Sequence, residues 1–131
     1  VPGKLLLAAA SIVAVLTLAG CPGVKVEPEQ IEVKEKKPGV GEVLMHGREN
    51  DAAMFEITQR LAGAHKADFE IVKSCTGGYE VEADHTTECT FEVGWAPGVP
   101  FTPGFTAIVE TEWKLNSEAA KTITTTVEAV V

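Results

Sequence analysis

The sequence predicts an all-β fold: a single sandwich of about seven to eight short antiparallel strands over residues 24–131, preceded by a signal-peptide helix. Three observations point there. Apolar and polar residues alternate with a period of two through most of the chain after residue 24. Gly, Pro, Asn and Asp clusters interrupt that alternation at the spacing of a sandwich. No stretch after the first 20 residues has the length and one-sided period of an amphipathic helix.

The leader comes first in the chain. Lys4 gives a positive start, residues 5–16 are almost wholly apolar and uncharged, and Leu18-Ala19-Gly20-Cys21 follows. A membrane span needs roughly 20 apolar residues, and this run is shorter. It also lacks the Lys/Arg cluster that fixes a cytoplasmic end. The pattern reads as a secretory signal over residues 1–20, and its ending resembles a bacterial lipoprotein lipobox. That resemblance implies a diacylglycerol on the Cys21 thiol, cleavage before Cys21, and further acyl chains such as palmitate at the new N-terminus. Two or more chains make a stable anchor. The expected location is the cell membrane or outer membrane, with the domain on the periplasmic or extracellular side. Residues 21–23 form a short tether.

In the domain, Ile31 and Val33 alternate with Glu32 and Lys34, and Pro38-Gly39 reads as a turn. Residues 43–46 form a second strand and Arg48 to Asp51 a polar turn. Residues 53–61 fit both periods. Met54, Ile57 and Leu61 suit a helix, Phe55 and Ile57 a strand, and a strand is the reading adopted. Residues 62–67 connect, with room for a helical turn. Phe69 and Ile71 mark the next strand, Thr76-Gly77-Gly78 a turn, and Tyr79, Val81 and Ala83 another strand. Cys89, Phe91, Val93 and Trp95 share one face of the clearest strand. Pro97, Pro100 and Pro103 exclude a central strand there. Phe105, Ala107, Val109 and Trp113 resume the alternation, and residues 121–131 are rich in strand-prone Thr and Val.

Composition narrows the function. Lys4 is the sole charged residue in the first 20 positions, so all 19 acidic residues and ten of the 11 basic ones follow it. The formal charge of −8 becomes −9 without the leader. Such a chain repels nucleic acid, which needs Lys/Arg clusters to neutralise phosphates. With Cys21 assigned to lipid, Cys75 and Cys89 remain as an even pair in an exported domain. An oxidising compartment makes a disulfide their default. Closing a loop of about 15 residues stabilises by roughly 3 kcal/mol on the chain-entropy model. The rival reading is free or zinc-binding thiols, with His85 four residues before Cys89, but no second close pair completes a four-ligand set.

Three segments carry a resemblance: Phe69-Glu70-Ile71, Cys75-Thr76-Gly77-Gly78, and the run from Cys89 to Pro97. Together they resemble the Ig-like β-sandwich repeats of the ASH/HYDIN type, found in bacterial surface proteins of the choice-of-anchor kind and related in architecture to PapD-like domains. Trp95 stands where Phe is common, and residues 83–88 lack the usual Pro or Gly. The resemblance implies a binding or scaffolding module with no catalytic residues to carry over and with the cysteines stapling neighbouring segments.

Sites of chemistry are sparse. His46, His65 and His85 are the only histidines, and no two have ligand spacing. A blue-copper site needs a Cys, two His and usually a Met, often close together near the last loop, but no His follows Cys89 and Met45 and Met54 come early. There is no Gly-x-Ser-x-Gly elbow and no phosphate-cradling loop. Ser74 and Ser117 are the only serines after the leader. The chain is therefore expected to be no enzyme and to need no cofactor. The loop holding Phe101 and Phe105 is the candidate partner-binding element if Phe101 is exposed. The plainer alternative folds Phe101 over the end of the core. An open sheet edge is a second route, with the Thr-rich last strand as a candidate. The leading function is a lipid-anchored envelope module that binds protein or polysaccharide. The alternative is a small-ligand or metal (copper) binding periplasmic sandwich.

Overall fold

The computed structural model describes residues 22–131. The expected signal peptide over residues 1–20 and Cys21 lie outside the described residues. Nine strands and one short 3-10 turn follow: β1 (Gly23–Glu27), β2 (Gln30–Val33), β3 (Gly39–His46), β4 (Ala53–Ala62), the turn Lys66–Asp68, β5 (Phe69–Lys73), β6 (Gly77–Val81), β7 (Thr86–Trp95), β8 (Thr106–Leu115) and β9 (Lys121–Ala129). They form two packed sheets, with strand orders β1-β3-β7-β5 and β2-β9-β8-β4-β6. The all-β sandwich is as expected, and residues 53–61 are strand.

Alternation decides which residues meet between the sheets. On β4, Ala53, Phe55, Ile57 and Gln59 are buried while Met54, Glu56, Thr58 and Arg60 are exposed. β8 buries Ala107, Val109, Thr111, Trp113 and Leu115 in the same way. These face Val43 and Met45 of β3 and Phe91 and Val93 of β7, all fully buried. Fully burying one such side chain contributes about 1.5–3 kcal/mol.

Several details differ from expectation. Among the described residues there are nine strands, and one pairing is parallel: Gln30 of β2 lies opposite Thr126 of β9, and Val33 opposite Ala129. The reason is a change of sheet. β1 pairs with β3 in the first sheet. Pro28, which has no N–H to give a ladder, interrupts it, and the chain continues as β2 in the second sheet. There it runs alongside the last strand. β9 is consequently flanked by β2 and β8, so the proposal that the Thr-rich last strand is an open edge is corrected. Pro38-Gly39 is not the turn either. The chain turns at residues 34–37, where Lys34 and Lys37 pair, and Gly39 already belongs to β3. A Cβ at Gly39 would collide with the Ile31 side chain, and one at Gly41 with the Phe91 ring. Glycine at both places lets β2 cross close over β3. Finally, β1 begins at Gly23, inside the expected tether.

The opposite lateral side is closed in a similar way. The chain passes from β5, on the edge of the first sheet, to β6, on the edge of the second. Cys75 lies in that crossing and is disulfide-bonded to Cys89 of β7, with 5.9 Å between Cα atoms. The free-thiol and zinc readings of these cysteines are thereby set aside.

Candidate functional site

One end of the sandwich is capped by aromatic rings. Trp95, the last residue of β7, meets Phe69 edge-on at 5.1 Å and Phe101 edge-on at 5.0 Å between ring centroids. Phe105 lies 6.3 Å from Trp95 and carries the His65 ring stacked on it at 3.7 Å. The loop holding these rings is tied at several points. The Trp95 indole donates to the Val99 carbonyl at 2.8 Å. Gly104 N–H donates to the Ala129 carbonyl at 2.8 Å, and Ala129 N–H to the Phe105 carbonyl at 2.9 Å. Gly98 and Gly104 take positive φ values of 78° and 93°, a conformation glycine adopts at no steric cost. Phe101 and Phe105 are half-buried against the core. The structure thus brings both candidate loop residues together with Trp95, and Phe101 folds over the end of the core.

The edges of the sheets are the second surface. β1 and β5 flank the first sheet, β2 and β6 the second. Edge strands leave backbone donors and acceptors for another chain to pair with. β5 is bent by an irregularity between Ile71 and Lys73, and Val72 there is 53% exposed. Beside β2 lies an open groove of about 650 Å³, lined by Gln30, Ile31, Glu32, Lys34, Lys37 and Val40 among others. Neither the groove nor the β2 edge was anticipated. The one local signal for it is the dense Lys34-Glu35-Lys36-Lys37 run in an acidic chain.

A buried polar network supports the disulfide. Gln59 Oε1 accepts from the Cys75 backbone N–H at 2.7 Å, and its Nε2 donates to Thr111 Oγ1 at 3.1 Å. The Gln59 backbone N–H donates to Thr76 Oγ1 at 2.9 Å. Tyr79 adds a hydrogen bond from its hydroxyl to the Cys75 carbonyl at 2.8 Å. The signal for Gln59 is present in the sequence: it occupies the inward parity set by Phe55 and Ile57.

The three histidines do not form one cluster. His65 sits at the aromatic end, 3.3 Å from Asp68 Oδ2. His46 and His85 sit at the other end, where His46 Nδ1 is 2.9 Å from Thr86 Oγ1 and His85 Nδ1 is 2.7 Å from the Ala83 carbonyl. Among the described residues, no three of His, Cys, Asp and Glu are grouped to hold a metal ion. Met45 is in the core and Met54 is exposed. Ser74 is bonded to Thr76 beside the disulfide, and Ser117 lies in a left-handed turn with φ 70°.

No protein-family model and no curated protein sequence matches the chain. Solved structures do. The chain is similar to the periplasmic chaperone SfaE, with a TM-score of 0.58 at 12% identity over 82% of this chain and 56% of that one. It is similar to a chain of the Salmonella enterica SafA pilin–SafB chaperone complex, with a TM-score of 0.55 at 10% identity over 82% of this chain and 54% of that one. A family 123 glycoside hydrolase from Clostridium perfringens aligns with a TM-score of 0.59 at 8% identity, over 83% of this chain and 27% of the hydrolase. The chain spans about half the length of the chaperone-system chains it matches. At these identities the likeness is one of fold, and the fold is the Ig-like β-sandwich that this chain shares with periplasmic chaperones.

Proposed function

We propose that this chain is a lipid-anchored module of the bacterial cell envelope that binds a protein partner and catalyses no reaction. Cys21 carries the lipid, at the cell membrane or outer membrane, and the sandwich faces the periplasm or the exterior. The family within the Ig-like sandwiches is the ASH/HYDIN type. The observation that carries the reading is the open groove beside β2, in which the exposed Val40 stands near Lys34 and Lys37, a mixed apolar and charged surface of the kind a protein partner can cover. The fold likeness to a chain of the SafA–SafB structure supports it, because that structure is of a pilin in complex with a chaperone. Against the copper-binding alternative stand the placement of His65 at the opposite end from His46 and His85 and the lack, among the described residues, of three His, Cys, Asp or Glu side chains grouped to hold a metal ion.

The test is crosslinking of the full-length protein in intact envelopes, followed by identification of crosslinked species. A discrete envelope protein joined to the domain is the expected result. Recovery of the chain alone, together with stoichiometric metal that is lost when His46 or His65 is replaced, would reverse the choice between the two readings.

A further inference from the structure

β6 is an outermost strand of the second sheet and pairs only with β4. The direction of its backbone groups follows from two contacts of β4. The Gln59 N–H donates to Thr76 Oγ1, just before β6, at 2.9 Å. Met54 points the opposite way: its N–H donates to Asn116 Oδ1 at 2.9 Å, and its carbonyl accepts from the Asn116 N–H at 2.9 Å. Backbone groups of successive residues alternate sides along an antiparallel strand. Ala53, Phe55 and Ile57 therefore point at β6, where they lie opposite Val81, Tyr79 and Gly77. Gly78 and Glu80 consequently direct their N–H and C=O groups away from β4, at the outer edge. Among the described residues, none bonds to those four groups. Gly78 and Glu80 are both exposed, and the exposed surface of a glycine is backbone.

The segments flanking β6 are held elsewhere. Before it, the Cys75 N–H donates to Gln59 Oε1 at 2.7 Å. After it, the Asp84 N–H donates to the Arg48 carbonyl and the His85 carbonyl accepts from the Gly47 N–H. Both segments are thus tied to β4 and to the loop before it, not to the outer side of β6. Side chains near the edge set what would suit it. Glu80 forms no ion pair among the described residues, and Met54, directly opposite it on β4, is 46% exposed. On the inner face, Tyr79 is half-buried with its hydroxyl fixed on the Cys75 carbonyl. Gly78 puts no side chain on the outer face, and a Cβ there would meet only the Phe55 carbonyl at 4.0 Å, which leaves room for a long side chain from a neighbouring strand.

We propose that β6 accepts an extended segment of a protein partner, with basic and apolar residues alternating, as a further strand of the second sheet. The basic residues stand opposite Gly78 and Glu80 and exchange backbone hydrogen bonds with them. One lays its stem over Gly78, and another meets the Glu80 carboxylate beside Met54. The apolar residue between them covers the Tyr79 ring. The formal charge of −8 favours the same partner. This adds a contact surface, apart from the groove beside β2, to the protein-binding reading and rests on that reading.

The test uses the full-length protein in neutral detergent micelles at physiological ionic strength and a labelled, end-blocked heptapeptide of alternating Lys and Val, read by fluorescence anisotropy. Saturable binding is expected. Only the Lys N–H groups of the bound peptide point at β6. N-methylation of the Lys residues should therefore weaken binding at least about tenfold, while N-methylation of the Val residues should leave it unchanged. Gly78→Pro removes an outward donor without touching the β4 ladder, and Glu80→Lys reverses the charge. Each should weaken binding at least about tenfold, with circular dichroism as in wild type; if Gly78→Pro does not fold, Glu80→Lys and the methylated peptides decide. Equal binding of the parent and the Lys-methylated peptide overturns the proposal, since charge alone would then hold the peptide. So does undiminished affinity in folded Gly78→Pro or in Glu80→Lys. Dimerisation of the wild-type chain that Gly78→Pro abolishes, without saturable peptide binding, overturns it in favour of a second copy at the same edge. Envelope crosslinking repeated with these variants separates the two claims. Unchanged crosslinks remove the β6 edge and keep the protein-binding reading, whereas a chain that never crosslinks removes both.

Discussion

Among the described residues, three polar side chains are buried between the sheets, and they are not equivalent. Gln59 and Thr111 satisfy each other and the Cys75 N–H. Thr125 of β9 is 1% exposed and its hydroxyl has no hydrogen-bond partner. A buried hydroxyl without a partner carries its desolvation cost uncompensated. Thr125→Val, of the same shape, is therefore expected to stabilise the domain by about 1 kcal/mol. Thr111→Val removes the acceptor of the Gln59 amide and should destabilise by about 1–3 kcal/mol. Denaturant unfolding at unchanged slope reads both, and equal shifts of the same sign would show that the network contributes nothing. These residues also mark what one sequence reveals at this scale. The inward parity of Gln59 is legible from Phe55 and Ile57, but its partners Cys75 and Thr111 lie on other segments, so the network is not. The half-burial of Phe101 was likewise open until the rings of Trp95 and Phe69 were placed beneath the loop.

At the scale of elements, both open sides of the sandwich are closed by chain that changes sheet, and the two closures are secured differently. β1 and β2 are held by pairing with β3 and β9. β5 and β6 are short and each pairs on one side only, so the disulfide across 14 positions adds what the ladders lack. Cys75→Ala/Cys89→Ala is expected to lower stability by roughly 3 kcal/mol, and amide exchange should accelerate first in β5 and β6. Uniform acceleration over all nine strands would show that the staple acts on the whole domain instead. The strands themselves were legible because alternation is local: residues 89–95 and 105–113 name their own inward faces. Pairing is not local. β2 finds β9 across most of the domain, and nothing in Gln30 to Val33 states that the partner runs parallel. The same ignorance made β9 look like an edge, since Thr-rich composition describes the solvent face of a strand and not its neighbours.

At the scale of the molecule, the lysine turn and the start of β1 lie at opposite ends. β1 begins beside His46 at one end of β3, and Gly39, next to the lysine turn, is at the other. Seven strand steps separate those ends by roughly 23 Å. With lipid on Cys21, two residues before β1, the His46 end lies against the bilayer, and the lysine turn and aromatic cap face away from it. The anchor then restricts where the domain is while leaving the groove accessible. Cys21→Ser should consequently move the protein from the detergent phase to the aqueous phase on phase partitioning, and the intact mass of the wild-type chain should show acyl groups on a polypeptide starting at Cys21. Two alkylations should appear only after reduction, at Cys75 and Cys89. A wild-type chain already in the aqueous phase without added mass would remove the anchor.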